Sequence, residues 1–330
     1  MNGELVSVVI PAHNAQDTID ETLRSVRSQS YRALEIIVVD DGSRDQTAAI
    51  ARSHAEIDTR VRLIEQANAG VAAARNTGWR AARSNLIAFV DADDLWAPTK
   101  IERQLAVLDR TGEKVGLVYC WYLVIDAQSM ITDHRQHRPN WRGDVLERLF
   151  YGNFVGNGSA ALVRRQALID ADGFESRLRE AGAQGCEDIL FYCRVAERYH
   201  FEVVEEPLIG YRYLPGNMSS DMSRMLRSWM LVVDEMLGRH PGAAPTLCKG
   251  LYFYSAWLLE RTLHQRQPRH VLPIMSLLLR YHPAIAMRII AVDLPRAGAQ
   301  WARRVVTRLV RGRRPIPPQV TARFPAGELK

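Results

Sequence analysis

Three aspartates fall within four positions, Asp91, Asp93 and Asp94, directly after an apolar run (LIAFV, residues 86–90) in a chain of 330 residues. In an extended segment side chains alternate, which would put Asp91 and Asp93 on one side and Asp94 on the other. Two neighbouring carboxylates are hard oxygen donors that suit Mg²⁺ or Mn²⁺, ions that commonly bridge one or two carboxylates and a diphosphate. Like charges so close also repel unless a cation joins them. The same residues fit a solvated acidic loop with Asp94 capping a helix that starts near Pro98, and spacing alone leaves both readings open.

Other polar residues sit in comparable places. Asp40 follows a β-branched run (EIIVV, residues 35–39) and could accept a hydrogen bond from a base N–H, while residues 41–45 carry turn chemistry with Ser43 or Asp45 as a helix N-cap. Glu187 and Asp188 open a helical pattern after Gly185. Acids favour helix N-termini by about 0.3–1 kcal/mol, but a carboxylate there could also be the general base for a hydroxyl. Arg212, before a Pro-Gly-Asn turn, could pair with a diphosphate or be a surface arginine beside a loop.

The elements that must position these residues alternate. Strand-like runs at 6–10, 35–39, 61–64 and 86–90 are separated by helical patterns at 15–29, 47–55 and 71–83. That order predicts right-handed βαβ crossovers and an α/β fold: a mostly parallel, Rossmann-like sheet with helices on both faces. Ligands of such sheets bind outside the carboxyl ends of the strands, where residues 11–14, 40–43 and 91–94 all fall. Further on, the spacing predicts a helix at 100–108, a strand at 114–124 and a polar loop at 126–140. Next come a strand-like segment at 156–163, a helix from 164, another from 187, and two closing strands at 201–204 and 207–213. Beyond about residue 220 the pattern is helical only, which predicts a catalytic domain over 1–220 and a helical, basic region over 221–330.

Hydrophobic residues make up 47% of the chain and charged residues 24%, the balance of an ordinary globular protein. The net charge of +6 is unevenly spread. Residues 280–330 hold eleven Lys and Arg against two acids, Asp293 and Glu328, so the rest of the chain is net negative. This argues against nucleic acid as a partner of the catalytic body and for a tail with its own anionic partner. Trp301, Val305, Val306, Leu309 and Val310 could form an apolar helix face beside Arg303, Arg304, Arg308 and Arg311. Such a face suits anionic lipid, or packing on the catalytic domain with the arginines solvated. Four cysteines without a CxxC pair indicate a reducing compartment. The N-terminal run reads as a strand rather than a secretory signal, and no window is apolar enough to span a membrane. A cytoplasmic location is expected, peripheral to the inner face of the plasma membrane if the tail meets lipid.

Read together, the segments at 7–47, NAGVAAARNTG at 68–78, FVDADDLW at 89–96 and GCEDILFYCRVA at 185–196 closely resemble the family 2 glycosyltransferases, inverting enzymes of the GT-A fold. The resemblance spans about residues 4–220. It implies transfer of a sugar from a nucleoside-diphosphate sugar, with UDP the usual carrier, to a hydroxyl of a glycan or lipid-linked acceptor in cell-surface polysaccharide or glycolipid assembly. It implies that Pro11, Ala12 and Asn14 line the nucleotide site, that Asp40 holds the base, and that Asn68 and Arg75 stabilise the same region. Asp91 and Ala92 would meet the nucleotide sugar, Asp93 and Asp91 would hold Mn²⁺ or Mg²⁺, Asp188 would be the catalytic base beside Glu187, and Arg212 would meet the diphosphate. Many relatives carry a histidine shortly after the Tyr-Arg pair as another metal ligand. Residues 211–220 contain none.

Two other function classes fit less well. A nucleotidyltransferase typically has a glycine-rich basic loop after its first strand, unlike PAHNAQDT at 11–18. A catalytically silent nucleotide-sugar-binding homologue is opposed by the retained Asp91, Asp93 and Asp188, while the missing histidine speaks for it.

Overall fold

A computed structural model describes residues 3–133, 138–214, 220–264, 267–296, 298 and 322–327. Contacts divide the chain into two compact units. The first comprises Met1–Ala181, Glu187–Asn217 and Ala322–Lys330, the second Gly182–Cys186 and Met218–Thr321.

The first unit begins with strict alternation: β1 (Val6–Ala12), α1 (Ile19–Arg27), β2 (Leu34–Asp41), α2 (Thr47–Ile57), β3 (Val61–Gln66), α3 (Val71–Ala81) and β4 (Leu86–Phe89). It continues through β5 (Leu95–Trp96), α4 (Lys100–Leu108), β6 (Val115–Ile125), β7 (Ile131–Asp133), α5 (Leu146–Leu149) and β8 (Leu162–Arg164). The helices α6 (Arg165–Asp170), α7 (Arg177–Glu180) and α8 (Glu187–Ala196) lead into the last strand, β9 (His200–Arg212). One sheet runs in the order β3-β2-β1-β4-β8-β6-β9-β5, with β7 attached to β6. The first four of these strands are mutually parallel, and β8 turns the sheet mixed by pairing antiparallel with both β4 and β6. The α/β fold expected from the alternation is present.

Burial explains why these runs are strands. All seven residues of β1 and all eight of β2 are buried, as expected where helices cover both faces. Val6, Val8, Val9 and Ile10 are fully enclosed, each contributing about 1.5–3 kcal/mol on removal from water. Helix α3 lies close against this layer. A methyl group at Gly78 would sit 2.3 Å from Val9 Cγ1, so only glycine permits the approach. The register pairs Ala12 with Asp40, which brings the polar tips of β1 and β2 side by side.

Several local expectations are corrected. Helix α1 starts at Ile19 rather than at 15, because Thr18 and Ile19 both donate to Ala15 O in a preceding turn. The expected polar loop at 126–140 contains β7, which pairs with β6 after a tight turn at Ser129. The strand expected over 156–163 is confined to β8, and its early part is irregular. The two closing strands are one, β9, whose register shifts against β6 around Trp121 absorb Pro207. The two-residue β5, paired with β9, stands where the sequence pattern showed no strand.

The second unit is helical: α9 (Met222–Arg239), α10 (Ala244–His264), α11 (Val271–Tyr281) and α12 (Pro283–Arg288). Asp221 caps α9 by accepting from Arg224 N. Trp229 of α9 stacks on Tyr254 of α10 with centroids 4.6 Å apart. Phe253, Trp257, Leu272, Tyr281 and Met287 are exposed on its surface. Among the described residues no helix is long and apolar enough to cross a membrane. The amphipathic pattern around Trp301 lies outside the described residues. All four cysteines are free, and Cys120, Cys186 and Cys193 are buried as small apolar groups while Cys248 is exposed.

Candidate active site

The tips of β1 and β2 form the first wall. Asp40 is buried, and its Oδ2 accepts from Ser43 N at 3.3 Å, while its Oδ1 has no hydrogen-bond partner. A buried carboxylate oxygen without a donor costs free energy unless a ligand supplies one. Its neighbour Asp41 does structural work beyond the local turn. It accepts from Gln66 Nε2, Ala69 N and Gly70 N at 2.7–2.8 Å, tying β2 to the loop before α3. Pro11 and Ala12 are buried at the tip of β1. Asn14, at φ +49°, is held from both sides: its N–H donates to Ser43 Oγ and its Oδ1 accepts from Arg44 N, each at 2.9 Å. Asn68 donates to Asp41 O at 2.9 Å, and its Oδ1 accepts from Arg179. Neither N-cap candidate is the cap of α2, which is Gln46: Asp45 accepts from Thr47 N at 3.0 Å, and Ser43 Oγ accepts from Asn14 N.

The second wall is the Asp91–Asp94 segment after β4. It is a turn rather than an extended stretch, since Asp94 N donates to Asp91 O at 3.0 Å. Simple alternation of side chains therefore does not apply. Asp91 and Asp93 are half-buried, and burial together with the nearby Asp91 charge pushes Asp93 up to about 6. Ala92 is buried, and its carbonyl accepts from Thr18 and Thr22 of the α1 region. Asp94 is neither solvated nor a helix cap. It is fully buried, accepts from Ser159 Oγ at 2.5 Å and from Arg212 N at 2.9 Å, and Thr99 occupies the N-cap of α4.

Arg75 of α3 joins this wall to the next. Its guanidinium donates to Asp91 Oδ1 at 2.6 Å and lies 5.3 Å from the Phe174 ring. Burial opposes its charge, but Asp91, Asp188 and Glu187 outweigh burial and hold it above the usual arginine range. Asp188 stands in the first turn of α8, half-buried, with Glu187 buried beside it. Burial raises the Asp188 carboxyl most; Arg75 opposes this, Glu187 adds to it, and the result is about 6. Asn153 Nδ2 donates to Asp188 Oδ2 at 2.9 Å, and Ile189 N donates to Oδ1 at 2.8 Å, so the carboxylate is fixed in orientation.

Arg212 is not placed as the sequence suggested. It is 1% exposed, its Nε donates to Asp93 O at 2.7 Å, and its two NH groups reach Asp126 O, Ala127 O, Ser129 Oγ and Glu21 Oε2. With its donors on protein oxygens, it braces the Asp93–Asp94 turn from behind instead of facing a diphosphate. Residues 215–219, which follow it in sequence, lie outside the described residues.

Three further residues carry no periodic signal in the sequence. Asn153 orients Asp188. Ser159 Oγ accepts from Asp91 N at 3.0 Å while donating to Asp94. Gly158 packs so closely that an added methyl would lie 2.2 Å from Arg75 NH2 and 3.3 Å from Asp91 Oδ2. Only their place in an irregular, Gly- and Asn-rich stretch between two strands could have drawn attention to them.

For a divalent ion the chain offers few donors: among the described residues no group of three or more His, Cys, Asp or Glu could hold a metal by itself. Asp93 and Asp91 nonetheless fit such an ion, because their mutual repulsion leaves excess negative charge in a partly buried turn. A hard cation that keeps waters and phosphate oxygens in its shell needs only one or two carboxylates from protein.

Comparison with known proteins gives the family and the fold. The family model described as Glycosyl transferase family 2 matches residues 7–171. The putative glycosyltransferase EpsH of Bacillus subtilis is 33% identical over 221 residues, which cover 64% of this chain and 62% of EpsH. The match thus spans less than two thirds of that relative. The structure of residues 1–349 of S. aureus TarS, in complex with UDP-GlcNAc, superposes with a TM-score of 0.59 at 19% identity over 85% of this chain and 82% of that one. The mannosyltransferase PcManGT from Pyrobaculum calidifontis, in complex with GDP-Man and Mn²⁺, gives a TM-score of 0.58 at 20% identity, covering 93% and 88%. Likeness at such identities establishes the fold, which is GT-A with a helical C-terminal part.

Proposed function

The chain belongs to glycosyl transferase family 2, and from that membership we propose that it transfers a sugar, with inversion, from a UDP-sugar to an acceptor hydroxyl. The observation that carries the reading is the buried guanidinium of Arg75, bonded to Asp91 and under the influence of Asp188 and Glu187. It links the carboxylates suited to donor binding with those suited to the acceptor.

In this reading Asp40 Oδ1 accepts the N–H of the base, and Pro11, Ala12, Asn14 and Asn68 line the nucleotide. Asp93 and Asp91 would hold Mn²⁺ or Mg²⁺, which would supply Lewis-acid neutralisation of the charge on the departing diphosphate. Asp188, oriented by Asn153, takes the acceptor proton as the hydroxyl oxygen bonds to the anomeric carbon. The bond to the diphosphate breaks on the opposite face and its electron pair leaves with the diphosphate. Glu187 borders the acceptor and keeps the Asp188 carboxyl raised. Arg212 positions the metal-binding turn and does not touch substrate.

The acceptor is a glycan or lipid-linked sugar in surface polysaccharide or glycolipid assembly. The basic C-terminal region, with its exposed apolar residues on the helical unit, supports peripheral contact with anionic membrane. Co-sedimentation with anionic vesicles, reduced on deleting residues 296–330, is the expected result, and absence of binding removes this part of the reading.

The central test is release of nucleoside diphosphate from a panel of nucleotide sugars with and without Mn²⁺, in wild type and in Asp188→Asn. Metal-dependent release that the variant loses while still binding UDP supports the reading. Near-wild-type transfer by Asp188→Asn removes Asp188 from the mechanism. Tight nucleotide-sugar binding with no turnover of any donor would identify a silent binding homologue instead.

A further inference from the structure

The chain returns to its first unit at its C-terminal end. Ile131 N donates to Ala322 O and Phe324 N donates to Ser129 O, both at 2.9 Å, and Met130 bridges Arg323 in antiparallel fashion. Phe324 is 3% exposed and packs against Gly210 of β9, where an added methyl would be 3.0 Å from its ring. Ala326 O accepts from Ser28 Oγ at 3.2 Å. Residues 322–327 therefore strap across the turn that joins β6 to β7.

That turn is the platform under the metal-binding carboxylates. Ser129 is buried at φ +63°, a conformation that a non-glycine residue adopts only when its surroundings hold it. Its hydroxyl donates to Glu21 and accepts from Arg212, while the Asp126 and Ala127 carbonyls receive the same guanidinium. Arg212 in turn donates to Asp93 O and Asp94 Oδ1. Glu21 is shared: Arg212 reaches its Oε2 at 2.7 Å and Arg323 its Oε1 at 3.1 Å. A continuous path of hydrogen bonds thus leads from the strap to the Asp91–Asp94 turn. Arg323 itself is largely exposed, so its ion pair is screened and contributes little. The backbone pairs and the buried Phe324 ring carry most of the effect.

We infer that the C-terminal strap, chiefly Phe324, is a positioning element for the divalent-ion site, acting through Ser129, Glu21 and Arg212. The role at the metal rests on the proposed glycosyltransferase reading, whereas the coupling of strap to turn does not.

The test uses the full chain carrying Phe324→Ala, Phe324→Leu or Arg323→Gln. Amide hydrogen exchange is followed at 91–96 and 126–131, and Mn²⁺ affinity is measured by electron paramagnetic resonance with UDP present. Phe324→Ala is expected to lose protection in both segments and to weaken Mn²⁺ about tenfold, as loss of an outer-shell support does. Phe324→Leu should restore most of both, and Arg323→Gln should change either by no more than about twofold. A native-like thermal transition in each variant guards against global unfolding. Unchanged exchange at 91–96 in folded Phe324→Ala overturns the coupling. Altered exchange in a protein whose wild type binds no Mn²⁺ with UDP upholds the coupling and overturns the glycosyltransferase reading.

Discussion

Arg75 NH2 and Asp91 Oδ1 lie 2.6 Å apart, in an ion pair whose arginine is 5% exposed and whose aspartate is 28% exposed. The pair is asymmetric: the cation is enclosed, and the anion opens toward solvent.

The two partners should therefore differ on removal: without Asp91 the guanidinium is left buried, whereas without Arg75 the aspartate can rehydrate. Arg75→Met is expected to cut kcat/KM by at least about a hundredfold, through loss of Asp91 orientation and of the charge that balances Asp188 and Glu187. Breaking such a pair costs about 3–5 kcal/mol when a charge is left buried, and less here because Asp91 can rehydrate. Denaturant unfolding of Arg75→Met, Asp91→Asn and the double variant checks this. Additive effects in that cycle would deny the coupling.

Gly158→Ala isolates geometry from charge. Its backbone is not in the left-handed region, so the only conflict is the methyl against Arg75 NH2 and Asp91. The pinned guanidinium must move, and the expected outcome is about 1–3 kcal/mol of lost stability with a larger fall in turnover than in nucleotide affinity. Isothermal titration with UDP alongside steady-state kinetics separates the two.

As the proposed base, the Asp188 carboxyl, raised to about 6, would give the reaction an acid limb. A base must be deprotonated, so kcat should rise about tenfold per pH unit below 6 and level off above it. Asn153→Ala removes a hydrogen bond that favours the charged form, so the limb should move to higher pH. The stability sign is the reverse of an ordinary ion-paired aspartate. With its folded value above the unfolded one, Asp188 favours folding at low pH, and that contribution is lost as pH rises from about 4 through 6. Initial rates from pH 5 to 8 for wild type and Asn153→Ala decide the kinetic part, and coincident limbs would refute the role of Asn153.

How much of this could be read from residues alone follows a physical divide. Asp40, Asp91 and Asp93 were legible because β-branched or apolar runs end abruptly in carboxylates and a parallel sheet collects such ends, whereas Asp188, at a helix start, was singled out by family resemblance. Arg212 was not, because its partners come from residues 21, 93–94 and 126–129, and no local spacing joins segments so far apart. Asn153, Gly158 and Ser159 lie in irregular chain without a period to flag them. The two-residue β5 is too short for any periodicity, and β7 depends on pairing with β6. The alternative of Asp94 as a solvated or capping residue could not be dismissed for a related reason: its burial by Ser159 and Arg212 is a tertiary fact.

Lys100 offers a test outside the site. It is fully buried, its Nζ has no hydrogen-bond partner, and it rests 3.8 Å from the centre of the Trp96 ring. Burial lowers it to about 7. A lysine whose folded value is depressed binds fewer protons folded than unfolded between about pH 7 and 10, so stability gains with pH across that window. Lys100→Met should abolish this slope and stabilise the protein most at the acid end. Thermal melts of both proteins from pH 6 to 10 check it, and parallel curves would contradict it.

If Asp40 holds the base as proposed, its unpartnered oxygen would act by refusal as much as by attraction. A base edge that brings an N–H to it, as uracil does, fills a vacant hydrogen bond. Cytosine would bring a lone pair to a lone pair, in a place where water is already excluded. A site built around a missing donor can discriminate by orders of magnitude where shape alone gives only a few multiples. A single buried lone pair can thus decide which activated sugars are admitted before any contact with the sugar is made.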